Sequence, residues 1–127
     1  MRASRRATAS DPSEAQSGIT LQKECPMIYE FAEFEIKDGQ GAEFETAVRN
    51  AVPLFQRAKG CKSMRLERVI ERANTYMLVI VWETLENHTV DFRSSDDFQT
   101  WRGLVGQYFA NTPRVEHTTN VVAGFGS

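Results

Sequence analysis

Two histidines and a tryptophan carry most of the chemistry available to this chain. His88 stands six residues after Trp82, in a polar segment that also holds Asp91 and Arg93. A histidine titrates near neutrality, so in a partly dry site it can serve as a base, a proton relay or a hydrogen-bond partner. Trp82 closes a run of seven nearly apolar residues, Tyr76 to Trp82, and could form the wall of a small-molecule pocket. Phe98 and Trp101 follow at helical spacing and could floor such a pocket. Arg93 and Arg102 could bind an anionic group or pair with Asp91, Asp96 or Asp97. Each has an ordinary alternative. Apolar strand and helix residues usually pack a core, Tyr29 and Tyr108 usually bury a satisfied hydroxyl, and a lone histidine is often structural.

Those side chains need a scaffold, and hydrophobic periodicity supplies one. Met27 to Lys37 alternates apolar and acidic residues in part and reads as a strand, ended by the turn pair Asp38-Gly39. Phe44, Ala47, Val48, Ala51, Val52, Phe55 and Ala58 form one helical face from Gly41 onward. Pro53 falls inside that pattern and should kink or break the helix. Ser63 to Glu71 is a second strand, joined through Arg72-Ala73-Asn74 to a third, Thr75 to Glu83. Thr84 to Phe92 is a short helix or turn. Ser94 to Asp97 offers capping residues for a second long helix bearing Phe98, Trp101, Leu104, Val105, Tyr108 and Phe109. Asn111-Thr112-Pro113 stops it, and Val115 to Val122 is the last strand.

The order β-α-β-β-α-β defines an α+β, ferredoxin-like antiparallel sheet with both helices on one face. The third strand is apolar on both faces, which predicts that something covers the outer face as well. A second copy with sheets facing is the simplest cover, hence a homodimer. In the sheet order 4-1-3-2, His117 at the start of the last strand and His88 after the third should sit at opposite ends of the subunit.

Bulk properties narrow the partners. The chain has 127 residues, 41% hydrophobic and 25% charged, within the range of one ordinary globular domain. A net charge of −2 and a pI near 5.7 argue against nucleic acid and anionic membrane as partners. Cys25 and Cys61 make no CxxC pair or zinc spacing, which points to two free thiols in a reducing compartment such as the cytoplasm. Residues 1–26 are rich in Arg, Ala and Ser without an apolar core, and read as a disordered extension rather than a secretory signal. Met27 is then an alternative start of translation. The domain is expected over residues 27–123, with 124–127 as a tail. Gly39-Gln40-Gly41 lacks the third glycine of a dinucleotide loop, since Phe44 stands there, and no HxH, HxxxH or HxxxE spacing suggests a metal centre.

Several short motifs then resemble the antibiotic biosynthesis monooxygenase family of dimeric α/β barrels. They are Lys37-Asp38-Gly39 with Glu43-Phe44-Glu45, Gly60-Cys61-Lys62-Ser63, Val81-Trp82-Glu83 with His88, Phe92-Arg93-Ser94-Ser95, Phe98 with Trp101-Arg102, and Pro113, Val115, Glu116 and His117. The resemblance spans Met27 to about Val122. It implies oxygenation of a small aromatic or quinol-like compound, with molecular oxygen as co-substrate and no organic cofactor or metal. It also implies His88 as base or proton relay, with Trp82, Tyr29, Phe98 and Trp101 shaping the pocket and Arg93 orienting the substrate or the His88 segment. The same fold includes haem-degrading enzymes, but the iron-ligating histidine of that branch corresponds to Arg102, which cannot ligate iron, and its asparagine to Ala32. Two other readings stay open: a non-catalytic dimeric barrel binding a small hydrophobic ligand, and an oxygen-free isomerase or decarboxylase using the same pocket.

Overall fold

The computed structural model describes residues 27–126. The extension expected over residues 1–26, with Cys25, lies outside them. Four strands form one antiparallel sheet: β1 (Ile28–Glu35), β2 (Cys61–Arg68), β3 (Thr75–Trp82) and β4 (Arg114–Thr119), in the order β2-β3-β1-β4. Helix α1 (Gly41–Gln56) follows β1, and α2 (Asp96–Val105) precedes a 3₁₀ turn at Gly106–Tyr108. This is the expected α+β, ferredoxin-like arrangement. The sheet of one chain is open and is not itself closed into a barrel.

Alternation along β1 decides what the sheet buries. Ala32, Phe34 and the following Ile36 point to the helices and join one core with Phe44, Ala47, Ala51 and Phe55 of α1 and Trp101 and Val105 of α2. From β3 the same core takes Tyr76, Leu78, Ile80 and Trp82. The opposite phase, with Tyr29, Phe31, Met77, Val79 and Val81, lies on the outer face; Tyr29 pairs with Val81 and Phe31 with Val79. Phe34 stacks on Phe109 at 5.0 Å between centroids and meets Phe44 edge-on at 5.7 Å, which ties α1 and the chain after the 3₁₀ turn to the central strand.

Helix ends follow the local chemistry. Ser95 caps α2, its hydroxyl accepting from the Phe98 amide at 3.2 Å, and Asp96 and Asp97 fill the first turn. Arg57 makes a two-pronged pair with Asp97 at 2.7 and 2.8 Å, joining the end of α1 to the start of α2 at the surface. Of the kink or break expected at Pro53, the break does not occur in helix α1. It runs through to Gln56, because Ala51, Leu54 and Phe55 on both sides of the proline are buried and hold that turn against the sheet.

Between β3 and α2 the chain forms a π-helical turn, Asn87–Phe92, in which the His88 carbonyl accepts from the Arg93 amide five residues on. The register of this segment is locked at Asn87. Its side-chain oxygen accepts from the Thr84 amide at 3.1 Å, and its amide nitrogen reaches Asp91 at 3.1 Å. The Asn87 side chain also lies directly against Gly60, whose φ of +77° is one that side-chain-bearing residues rarely adopt.

Candidate active site

The strands and the π-helical turn converge on a buried cluster that begins with Glu30. Glu30 occupies a helix-facing position of β1, in phase with Ala32 and Phe34, and is 5% exposed. One carboxylate oxygen, Oε1, accepts from Trp82 Nε1 at 2.9 Å and stands 3.4 Å from His88 Nε2. The His88 ring stacks on the Trp82 indole, with centroids 5.3 Å apart and planes within 15°. On its other side, His88 Nδ1 lies 2.8 Å from His117 Nε2. Trp82, Glu30, His88 and His117 thus form one continuous polar chain inside an aromatic setting.

The electrostatics follow from the dryness of that setting. Burial pushes the Glu30 carboxyl up to about 7, against the lowering pull of the Trp82 hydrogen bond and the Arg93 charge. Burial also pushes His88 down to about 3, helped by Arg93 and His117. His117 is lowered by burial and then by Arg93. At neutral pH both imidazoles are therefore neutral, and Glu30 is poised near half-protonation, the condition that favours a general acid or base. The Cys61 thiol is pushed up to about 11, by burial first and by the Glu30 charge second, and stays protonated.

Glu30 and His88 open onto a cavity of about 970 Å³ between the helix-facing side of the sheet, α2 and the turns flanking it. Phe34, Phe55, Phe92, Phe98, Trp101 and Phe109 line it, and Arg93 and Arg102 are also part of its lining. Its volume and aromatic walls suit a polycyclic or similarly flat ligand.

The expected site residues distribute unevenly around this space. His88, Arg93, Phe98 and Trp101 line the cavity. Trp82 does not. It is fully buried behind His88 and shapes the site by fixing His88 and Glu30. Tyr29 lies on the outer face, one position out of phase with Glu30 and away from the cavity. His117 corrects an expectation. The last strand starts at Arg114, so His117 falls in its middle, paired with Glu30, and the turn after β3 folds back to bring His88 onto it. Arg93 and Arg102 also depart from the salt bridges the acidic neighbours suggested. Among the described residues neither forms an ion pair; Arg102 lies over the Phe98 ring at 5.8 Å, and Asp97 pairs with Arg57 instead. Sequence reasoning missed Glu30, although the alternation of β1 placed it in phase with the core. No cluster of three or more His, Cys, Asp or Glu among the described residues is arranged to hold a metal ion.

Comparison with known proteins agrees with this architecture. The model of the antibiotic biosynthesis monooxygenase family matches residues 27–104. The uncharacterized protein YczJ of Bacillus subtilis (strain 168) is 39% identical over 95 residues, covering 75% of this chain and all of that protein. A crystal structure from Bordetella bronchiseptica, assigned to the antibiotic biosynthesis monooxygenases, is 49% identical. It superposes with a TM-score of 0.75 over 76% of this chain and 99% of its own. SnoaB of Streptomyces nogalater, a cofactor-independent oxygenase, shares the fold at 18% identity, with a TM-score of 0.66 over 76% of this chain and 95% of its own. The fold and site define a ferredoxin-like α+β protein with an aromatic cavity and a buried acid–histidine cluster. The chain belongs to the antibiotic biosynthesis monooxygenase family.

Proposed function

We propose that the protein oxygenates a small, electron-rich aromatic of the quinol type, with molecular oxygen as co-substrate and no organic cofactor or metal. The observation that carries this reading is the aromatic cavity with a buried proton-accepting cluster opening onto it. The fold shared with a cofactor-independent oxygenase supports it. Removing a phenolic proton makes the ring electron-rich enough to reduce oxygen by itself. One oxygen atom is then added to carbon and the other leaves as water, all four electrons coming from the substrate. Aromatic walls hold the ring and exclude bulk water, the Glu30–His88–His117 cluster takes up the proton, and Arg93 orients the resulting anion.

The test is oxygen consumption by the purified protein with a panel of hydroquinones and polycyclic phenols, with nothing else added. Uptake above autoxidation is expected, falling on the order of 100-fold or more in His88→Ala. Binding of panel members without oxygen uptake would favour a ligand-binding barrel, and turnover without uptake an oxygen-free reaction.

We also propose that the working unit is a homodimer with the sheets face to face, which would complete the barrel, and that it works in the reducing cytoplasm, as its pair of unmatched cysteines suggests. Tyr29, Phe31, Met77, Val79 and Val81 form an apolar band along the central strands of the outer face, flanked by Arg65 and Glu67 of β2 and Arg114 and Glu116 of β4. That is an apolar centre with a charged rim, as stable interfaces have. Sedimentation at micromolar concentration should show twice the 14.4 kDa chain mass. A monomer under those conditions would contradict the proposal. Among the described residues no helix is long and apolar enough to cross a membrane.

A further inference from the structure

His88 is the residue the sequence points to as base, yet both of its ring nitrogens are already turned toward protein groups. Nε2 faces Glu30 at 3.4 Å and Nδ1 faces His117 at 2.8 Å. A ligand in the cavity therefore meets an imidazole whose Nδ1 is taken by His117 and whose Nε2 lies near Glu30 without a hydrogen bond to it. Glu30 differs. Its Oε1 is held by Trp82, while Oε2 has no partner among the described residues, and Glu30 lines the cavity. At the other end of the chain, His117 Nδ1 has no partner among the described residues, on a side chain that is half-buried rather than enclosed.

We infer that Glu30 is the catalytic residue that takes the substrate's hydroxyl proton through Oε2, and that His88 and His117 pass that proton outward. The inference rests on the oxygenase reading for its substrate but not for its geometry.

The transfer balances without charging the buried ring. The substrate O–H bond breaks, and its proton joins the Glu30 carboxylate, leaving a bound phenolate. A half-turn of the carboxyl group brings the protonated oxygen to the His88 side, where it gives its proton to His88 Nε2 as His88 Nδ1–H is given to His117 Nε2. His88 changes tautomer and stays neutral. His117 releases the proton on its Nδ1 to water, Glu30 is again a carboxylate, and a turn of each ring restores its starting tautomer. No electron moves in these steps. A ring held neutral down to about pH 3 suits a relay of this kind better than a base that must hold the charge. The 3.4 Å separation between Glu30 and His88 is long for a hydrogen bond, as such contacts often are before a ligand closes the site. The groups that act electrostatically on this path come from several elements: Trp82 from β3, His117 from β4, and Arg93 from the end of the π-helical turn.

The test uses a nitrophenol as a coloured stand-in for substrate, bound to the full chain without oxygen, with the absorbance reporting phenol or phenolate. Above pH 7 the Glu30 carboxylate opposes a second negative charge beside it, so dye bound to the parent protein should ionise at higher pH than dye bound to Glu30→Gln. Glu30→Gln keeps the shape and the acceptor for Trp82, so it should bind the dye with at least a tenfold larger phenolate fraction while losing turnover of the phenol panel. His117→Phe should leave the equilibrium fraction unchanged while slowing the approach to it after a pH jump. An equal phenolate fraction in the parent and Glu30→Gln, or turnover kept in Glu30→Gln and lost in His88→Ala, would overturn the inference, the second result making His88 the base. A dye that does not bind would overturn it too. A larger phenolate fraction in Glu30→Gln together with an absence of oxygen uptake across the phenol panel would leave the proton path standing and remove the oxygenase reading.

Discussion

Replacing Gly60 by alanine is expected to destabilise the protein by on the order of 3 kcal/mol, among the largest effects of any single methyl group in the chain. Two independent costs add. The backbone at Gly60 has φ of +77°, where a side chain costs about 1–2 kcal/mol. A Cβ there would also overlap the Asn87 side-chain oxygen and crowd its Cβ at 3.0 Å. Asn87 cannot simply swing away. It is buried and holds the Thr84 amide and Asp91, and each lost bond costs about 1 kcal/mol. The turn that would shift carries His88, so the variant should lose dye binding as well as stability. Urea unfolding measures the first. The double variant Gly60→Ala/Asn87→Ala should cost less than the sum of its parts, because the overlap is gone. A Gly60→Ala protein within about 0.5 kcal/mol of the parent would contradict the close packing that positions His88.

Glu30→Gln should gain stability relative to the parent as pH rises, by about 2–3 kcal/mol between pH 5 and pH 8. The direction follows from proton counts. In the folded parent Glu30 keeps its proton up to about pH 7, whereas the unfolded chain loses it near the ordinary value of 4.5. Between those values the folded state binds more protons, so its stability falls as pH rises. His88 works the other way. The folded state refuses its proton down to about pH 3, while the unfolded chain accepts it near 6.5, so this part of the stability is lost as pH falls through that window. The two slopes oppose each other between about pH 4.5 and 6.5, so these two contributions largely cancel in the parent there. Glutamine removes only the first. Urea midpoints at the two pH values, converted with a common slope, give the difference directly. A pH-independent difference would mean that Glu30 is not held in a dry site.

Much of this arrangement is legible in the residues because it is local. Apolar spacing marks α1 and α2, Ser95 announces a helix start, and the all-apolar β3 announces a strand in the middle of the sheet. What escaped depends on contacts between distant segments. Period two along β1 puts Glu30 among Ala32 and Phe34 and sends Tyr29 to the other face, so both placements were present in the alternation. An acidic residue in a strand is readily taken for surface, however, and its aromatic neighbour for the pocket. The pairing of His88 with His117 was not available locally. It requires the turn after β3 to fold back across the sheet, and its π-helical geometry is fixed by the fit of Asn87 against Gly60, 27 residues away in sequence. Pro53 shows the same limit. Its local preference to end a helix is outweighed by the burial of Leu54 and Phe55 in the next turn.

The central claim is that substrate and oxygen react in the Glu30–His88 cavity with no help beyond the protein. Turnover of a hydroquinone under ¹⁸O₂, with the metal-free protein and early quenching, tests it most directly. The account predicts one labelled oxygen in the product and one in water, with incorporation lost in Glu30→Gln. Unlabelled product, or labelling that persists at the parent rate in that variant, would contradict it.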